Sequence, residues 1–255
     1  MMTALRAILI LAGFLSLTLL LMPIQCLLLF SSTKLARILP WYYHRILVRL
    51  LSITIDIEGQ VPTAPALLVC NHVSWLDIPI LSSVTPLSFI AKREVANWPL
   101  FGWMAKLQRS VFVSRENRYS TGQSAVIMKG RLQDHDSLVL FPEGTSGDGR
   151  SVRPFKSSYF GVVEKMTIPV IPITIAYHSN YGLPLTETQR LHFAWFGDMD
   201  LVPHLWAALH AGPLGVKIRI HPALNKTDRK QMANTAENTI RRGLIQALHG
   251  RPEIR

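Results

Sequence analysis

Acidic residues and cysteines are both scarce in this chain. Asp and Glu number 16 against 27 Lys and Arg, which gives a formal net charge of +11 among 255 residues. This imbalance favours an anionic partner, either nucleic acid or a phospholipid surface. The two cysteines, Cys26 and Cys70, lie in an apolar run and at the end of a predicted core strand. A disulfide between them is not expected, which is consistent with a reducing compartment.

Charged residues as a whole make up 17% of the chain and hydrophobic residues 49%, a balance that excludes global disorder. The motifs of several common sites are missing too. Without HExxH or a Cys/His cluster no zinc site is expected, and we predict neither a metal nor a bound cofactor. The segment "FPEGTSGDG" lacks the GK[ST] of a P-loop, and Asp148 stands where GxSxG requires its last glycine.

One long hydrophobic run is present near the N-terminus. Residues 7–30, "AILILAGFLSLTLLLMPIQCLLLF", contain no charged side chain. As a helix rising about 1.5 Å per residue, the run can cross a hydrocarbon layer of roughly 30 Å, with Pro23 as a point of kinking. We therefore predict a membrane helix. Two alternatives stay open: a signal peptide, although no small-residue cleavage pattern follows the run, and a hairpin that dips into one leaflet.

Basic and apolar residues alternate in the next segment, "TKLARILPWYYHRILVRLLS". Its pattern predicts an interfacial amphipathic helix, broken near Pro40, with a soluble helix packed on the domain as the alternative. Only Arg6 precedes the hydrophobic run, whereas Lys34, Arg37, Arg45 and Arg49 follow it. The positive-inside rule then predicts a cell-membrane protein with its C-terminal bulk in the cytoplasm.

Strand-like and helix-like segments alternate from Ile53 onward, so we predict an α/β fold with a mixed, largely parallel sheet flanked by helices. The prolines in "IPVIPITIAY" predict an edge strand or a bulge there. The predicted strands are ITIDIEG, ALLVC, LSFIA, SVFVS, SLVLF, IPVIPITIAY and GVKIRIHPAL, and the predicted helices are 78–83, 99–107, 119–133 and 228–248. We divide the chain into an anchor, 1–52, and a domain, 53–255.

Polar residues follow four of the strands, and such strand-end loops converge on one edge of a sheet. His72 and Asp77 lie about 140° apart on an ideal helix and would not meet there. If His72 precedes the helix and Asp77 lies in its first turn, the carboxylate can fix the imidazole tautomer and make a general base. The alternative is structural, because Ser74 and Asp77 also fit a capping box. In "FPEGTSGDG", backbone amides and the Thr145 hydroxyl can face an anion, or the segment is a plain glycine-rich turn.

Four segments in order resemble the motifs of the glycerolipid acyltransferases, the 1-acylglycerol-3-phosphate acyltransferase family. "NHVSWLD" is similar to the family's NHxSxxD box, and "FPEGT" to its FPEGT box. "FIAKREVANWPLFGWMAKLQRSVFVSR" is similar to the block between them, and "VIPITIAY" to the fourth box. One box would be weak, but four in order are highly specific. They span residues 67–177, and the C-terminal third has no comparable motif.

The resemblance implies an O-acyltransferase that transfers a fatty acyl group from an acyl thioester to a lipid hydroxyl. His72 would be the base that removes the acceptor proton, and Asp77 would orient it. Lys92 or backbone amides could stabilise the oxyanion. Residues implied on the acceptor side are Glu143, Gly144, Thr145 and, against a phosphate, Arg115. The membrane, a lysophospholipid and a thioester of acyl carrier protein or coenzyme A are the implied partners, without nucleic acid.

One departure from the family pattern concerns the acceptor. The FPEGT box usually continues with Arg, and here Ser146 takes that place. Lysophosphatidate is the first acceptor that the resemblance implies, and a lyso-ornithine lipid is the alternative that Ser146 raises. A lipid-binding protein without enzymatic activity is disfavoured by the His72 and Asp77 pair, and a nucleic-acid binder by the hydrophobic run and the absence of a nucleic-acid motif.

Overall fold

A computed structural model describes residues 2–31, 33–113, 122–164 and 166–249, in which helices flank one mixed β-sheet. The strand order is β1-β8-β6-β2-β5-β3-β4, and a short strand β7 pairs with β6. Neighbours along this order are parallel except β6 with β8, and β7 also runs antiparallel to β6. The strands are β1 Ile53–Glu58, β2 Leu67–Cys70, β3 Ser88–Lys92, β4 Val111–Val113, β5 Leu138–Leu140, β6 Val170–Asn180, β7 Leu183–Pro184 and β8 Leu214–Ile220. The predicted fold class is confirmed.

The helices agree with the sequence prediction over most of the domain. Asp228 lies at the start of the last helix as predicted: it immediately precedes Arg229, and its Oδ1 accepts from the backbone N–H groups of Lys230 and Gln231. The sequence prediction missed β7, α6 and α7, and the first residues of its 119–133 helix lie outside the described residues. The helices are α1 Met2–Ser31, α2 Thr33–Leu50, α3 Asp77–Val84, α4 Phe101–Leu107, α5 Gln123–Gln133, α6 Glu187–Arg190, α7 Leu201–Ala211 and α8 Arg229–His249, with 3-10 segments at Arg93–Asn97 and Ser157–Val162.

The position predicted for the proline-containing strand was wrong. β6 pairs with β2 on one side and β8 on the other, so it is central, and its one irregularity lies between Tyr177 and Ser179 rather than at a proline. The carbonyl of Pro172 accepts from the N–H of His221, just beyond the end of β8. Pro172 therefore lies where the pairing of β6 with β8 ends. Its missing N–H costs the sheet no hydrogen bond within β8.

The predicted break in the amphipathic segment was also wrong, because α2 continues through Pro40. Proline has no N–H, so the carbonyl of Ala36 loses its helical partner. The side chain of Gln25 in α1 replaces that partner: its Nε2 donates to the Ala36 carbonyl at 2.8 Å and to the Leu107 carbonyl at 2.9 Å. One buried amide thus joins α1 to α2 and to the end of α4.

The helix α1 combines an apolar outer face with contacts to the domain. Its stretch Ala4–Ser31 is long and apolar enough to cross a membrane. Near its start, Arg6 donates to the Leu209 carbonyl, and further along Gln25 donates to the Leu107 carbonyl. The helix is therefore held to the domain at both places while its other face is exposed, which is consistent with membrane association. Exposed apolar residues on it include Leu5, Ile8, Leu9, Leu15, Leu19, Leu20, Ile24, Leu27 and Phe30.

Candidate active site

His72 and Asp77 meet at the carboxyl end of β2. His72 precedes α3 and Asp77 is its first residue, so the loop between them turns the two side chains toward each other. Nδ1 of His72 lies 2.8 Å from Oδ2 of Asp77. A carboxylate can only accept, so this contact assigns the proton to Nδ1 and leaves the lone pair on Nε2. The predicted meeting of these residues is confirmed, and it gives an imidazole that can accept a proton at Nε2.

The Asp77 carboxylate is fully buried and is held by three further donors. Oδ2 accepts from the backbone N–H groups of Val73 at 2.7 Å and Ser74 at 3.1 Å, and Oδ1 accepts from the Tyr177 hydroxyl at 2.6 Å. Burial, followed by the charge of Asp77, raises the pKa of the Tyr177 phenol, so the hydroxyl stays protonated and donates. The Asp77 carboxylate thus orients His72 and also accepts from the Ser74 N–H before α3. The predicted capping box is not formed, because the residue that caps α3 is Leu76, which makes no side-chain cap hydrogen bond.

The His72 ring is also fixed from its face. It stacks on Phe141, the residue after β5, with ring centroids 4.1 Å apart and an angle of 18° between the planes. Because Asp77 holds the edge of the imidazole and Phe141 holds its face, both the tilt and the rotation of the ring are restricted. Such fixed geometry suits a base that must meet a hydroxyl at hydrogen-bond distance.

Glu143 joins the two motifs through their backbones. Its Oε1 accepts from the N–H of His72 at 2.9 Å and its Oε2 from the N–H of Arg153 at 3.1 Å. The Glu143 side chain is buried, and this burial raises its pKa to about 7. Both carboxyl oxygens are thus engaged by main-chain donors, which makes Glu143 a residue that positions His72. The resemblance to the acyltransferase family had placed Glu143 on the acceptor side instead.

The glycine-rich loop wraps around the histidine. The N–H of Gly147 donates to the His72 carbonyl at 2.8 Å. Gly144 has φ +73°, which favours glycine, and a Cβ there would lie 2.9 Å from Nζ of Lys156. A Cβ on Gly147 would lie 3.6 Å from Nε of Arg153. The cations downstream of the FPEGT box therefore lie against this loop.

Of the other predicted site residues, Lys92, Gly144 and Thr145 line the same cavity as His72, and Arg115 lies outside the described residues. Ser146 also lines this cavity. Within the described ranges, no group of three or more His, Cys, Asp or Glu side chains is arranged to hold a metal ion.

The cavity has a volume of about 470 Å³ and a mostly apolar wall. Its apolar residues come from the N-terminal helices, from α4 and from β3, so the sheet-edge loops and the N-terminal helices share one space. Among them are Phe14, Leu21, Met22, Leu39, Leu47, Phe89, Ile90, Phe101 and Met104. An apolar space beside a fixed imidazole can hold a hydrocarbon chain whose reactive end lies at His72.

Three residues of the site were missed by the sequence analysis. Tyr177 contacts Asp77, Phe141 stacks on His72, and Asn71 pairs its side-chain amide with both the N–H and the carbonyl of Ile175 at 2.9 Å. Each lies within or at the end of a recognised box, so the boxes marked the right segments. The partner of each side chain lies in a distant segment of the chain, however, and only the fold brings the two together.

Comparison with known proteins finds relatives among lipid acyltransferases. The sequence model described as Acyltransferase matches residues 52–176. The chain is 40% identical over 262 positions to the lyso-ornithine lipid O-acyltransferase of Brucella abortus (strain 2308), covering 98% of each chain. It is 30% identical over 196 positions to the 1-acyl-sn-glycerol-3-phosphate acyltransferase of Neisseria gonorrhoeae, covering 75% of this chain and 74% of that protein.

A solved structure shares the fold. The crystal structure of the 1-acyl-sn-glycerophosphate acyltransferase PlsC from Thermotoga maritima matches with a TM-score of 0.67 and 18% identity, covering 96% of this chain and 97% of that chain. The overall architecture thus has a counterpart in a solved acyltransferase, and the sequence has relatives among lipid acyltransferases. The chain belongs to the glycerolipid acyltransferase family and is an O-acyltransferase of lipid metabolism.

Proposed function

We propose that this enzyme transfers a fatty acyl group from an acyl thioester to the free hydroxyl of lyso-ornithine lipid. The observation that carries acyl transfer is the His72 imidazole, held by Asp77 and Phe141 beside an apolar cavity. The acceptor rests on two further points. The lyso-ornithine relative is similar over nearly the whole chain, and Ser146 stands where the FPEGT box of the family usually continues with arginine.

The reaction follows from the groups at His72. Nε2 takes the proton of the acceptor hydroxyl while the hydroxyl oxygen attacks the thioester carbonyl carbon. The new C–O bond gives a tetrahedral oxyanion, which collapses with cleavage of the C–S bond. The proton passes from His72 to the departing sulfur, and the products are an ester and a free thiol. No covalent acyl-enzyme is required.

Lysophosphatidate is the second candidate acceptor. Lys156 and Arg153 lie against the glycine-rich loop and can supply positive charge that Ser146 does not. The same cations also suit the carboxylate of an ornithine headgroup, so they support either acceptor. The donor is proposed to be a thioester of coenzyme A or acyl carrier protein, and the domain is proposed to face the cytoplasm, because four basic residues follow the hydrophobic run.

The test is thiol release by the purified full chain from an acyl thioester, with lyso-ornithine lipid, lysophosphatidate or no acceptor. We expect release that depends on an acceptor and is faster with lyso-ornithine lipid. A preference for lysophosphatidate would refute the proposed acceptor, and no release with any lysolipid would refute acyl transfer. Ser146→Arg should shift the preference toward the phosphate acceptor, and an unchanged ratio would exclude Ser146 as the cause of selectivity.

A further inference from the structure

Two tryptophans form an aromatic pair in the wall of the catalytic cavity. Trp98 and Trp195 both line this cavity, and their ring centroids lie 6.0 Å apart at an angle of 85°. In this edge-on arrangement, one indole presents its edge to the other. Both side chains are partly exposed, and their neighbours Asn97 and Gly197 are exposed. The pair therefore lies where the cavity meets solvent.

The backbone holds Trp195 next to the histidine loop. Its N–H donates to the carbonyl of Val73, the residue after His72, at 3.0 Å. Its indole Nε1 donates to the Met199 carbonyl at 2.8 Å, so the loop after Trp195 folds back onto the ring. A headgroup attached to an acceptor at His72 can consequently reach this tryptophan.

The same loop carries negative charge in a strongly basic protein. Asp198 and Asp200 flank Met199 and are both exposed. Neither carboxylate forms an ion pair with a residue in the part of the chain that the structure describes. The faces of aromatic rings attract a cation, and the two carboxylates on this loop add negative charge that disfavours a phosphate.

We propose that Trp98 and Trp195 bind the side-chain ammonium of the ornithine headgroup and so help to select this acceptor. The inference rests on the proposed function. Ornithine carries a carboxylate and, at the end of a propyl side chain, an ammonium, so the two charges require separate contacts. The ammonium lies against the tryptophan faces, and the carboxylate lies toward the cations at the glycine-rich loop. Lysophosphatidate has no cation to place at the tryptophans.

The experiment compares lyso-ornithine lipid with a derivative whose side-chain amine is acetylated and therefore uncharged. For the wild-type full chain we expect a KM about threefold to thirtyfold higher for the acetylated acceptor, the range of a cation–π contact from exposed to desolvated sites. Trp195→Leu should raise KM for the charged acceptor by a similar factor and leave KM for the acetylated one within about twofold. Trp195→Phe keeps a weaker aromatic face, so its KM for the charged acceptor should lie between the values of the wild type and Trp195→Leu.

The matched control is Trp206→Leu, because Trp206 lies on α7, contacts the His210 ring edge-on and is not among the residues that line the cavity. It should leave both KM values unchanged. Equal KM values of the wild type for the two acceptors would overturn the inference and leave the proposed function intact. If Trp195→Leu raised KM equally for the charged and the acetylated acceptor, the Trp195 ring would have only a packing role and the inference would be overturned. Transfer to lysophosphatidate with none to either ornithine acceptor would overturn both proposals.

Discussion

The two parts of the cavity wall are built in different ways. At the sheet edge, the loops after β2 and β5 are held by buried carboxylates: Asp77 accepts from four donors, and Glu143 joins two backbone amides. Along α1 and α2 the wall is mainly apolar side chains, with Gln25 as one of its few buried polar contacts. Transfer requires atoms fixed to tenths of an ångström, whereas a hydrocarbon chain requires only volume. Substitutions at the sheet edge should therefore affect rate, and substitutions in the helices should affect stability.

The largest loss of rate should follow His72→Ala. Removing a general base typically lowers the rate about 10²- to 10⁴-fold. We expect transfer to fall by that factor while expression and membrane retention stay normal. The measurement is the rate of thiol release with lyso-ornithine lipid. His192→Ala, at an exposed histidine, is the control and should retain full activity. If the His72→Ala variant retained a rate of thiol release within about tenfold of the wild type, His72 would be excluded as the general base.

Asp77→Asn should come next. An asparagine can keep its oxygen on His72 and the Val73 and Ser74 amides and turn its NH₂ toward Tyr177, so the shape is preserved. The charge that stabilises the imidazolium is lost, and we expect a rate loss of roughly 10²- to 10⁴-fold with a small change in melting temperature.

The melting temperature decides between the two roles of Asp77. If the carboxylate only closed the turn before α3, the variant would be active and slightly less stable, by about 0.3–1 kcal/mol for a first-turn charge. Asp134→Asn, at an exposed aspartate, is the matched control and should change neither quantity.

Glu143→Gln should have a smaller effect on rate and a marked effect on the pH dependence of stability. The folded pKa of Glu143 is about 7 against an ordinary 4.5. A raised pKa means that the contribution to stability is complete below about pH 4.5 and is lost as the pH rises through about 7. Above the folded pKa, the free energy of unfolding is lower by ~3 kcal/mol than it would be with an unshifted Glu143. The melting temperature of the wild type should therefore fall between about pH 5 and 8 relative to Glu143→Gln.

The measured quantity is the difference in melting temperature between the wild type and Glu143→Gln at each pH, because histidines titrate in the same pH range and affect both proteins. The charged neighbours of Glu143 are Asp77 and Arg153, which the substitution leaves in place. Glu187→Gln is the control, since Glu187 is exposed and pairs with Arg150 at the surface. Parallel pH curves for wild type and Glu143→Gln would exclude the raised pKa. We expect a rate loss of about tenfold, because glutamine has one acceptor oxygen for the two backbone amides of His72 and Arg153, and the loop at His72 is held less firmly.

The strands and the His72–Asp77 pair could be predicted from the sequence because both depend on a local pattern of residues. Short apolar runs predict buried strands, and a five-residue spacing across a helix start brings His72 to Asp77. The missed contacts join distant segments: Tyr177 reaches Asp77 across 100 residues, and Asn71 reaches Ile175 across 104. No local period encodes them. The helix α7 was missed because "LVPHLWAALHA" is apolar on most sides and shows no polar face.

The prolines illustrate the same limit. Pro40 and Pro172 each predict an interruption from local chemistry alone. In the folded chain, the Gln25 side chain supplies the donor that Pro40 lacks. Pro172 also lacks an N–H, but it lies opposite His221, just beyond the end of β8, where no strand hydrogen bond is required. A local rule describes what the residue cannot do, and the tertiary structure decides whether that matters.

The smallest effect on rate and a clear effect on stability are expected for Gln25→Leu. The substitution leaves the carbonyls of Ala36 and Leu107 buried without their side-chain donor, at about 1–3 kcal/mol for each unsatisfied group. The melting temperature in detergent should fall by about 2–4 °C per kcal/mol. Transfer should stay within about threefold of wild type, since the apolar volume of the cavity is nearly conserved. Gln231→Leu, at an exposed glutamine of α8, is the matched control.

A second substitution tests whether Gln25 works by replacing the missing donor of Pro40. Pro40→Ala restores an N–H that can reach the Ala36 carbonyl within α2. Added to Gln25→Leu, it should recover about 1 kcal/mol of the lost stability, whereas in the wild type it should change stability little because Ala36 is already satisfied. Additive effects of the two substitutions would show that the Gln25 amide does not compensate for Pro40, and the link between α1 and α2 would then rest on apolar packing alone.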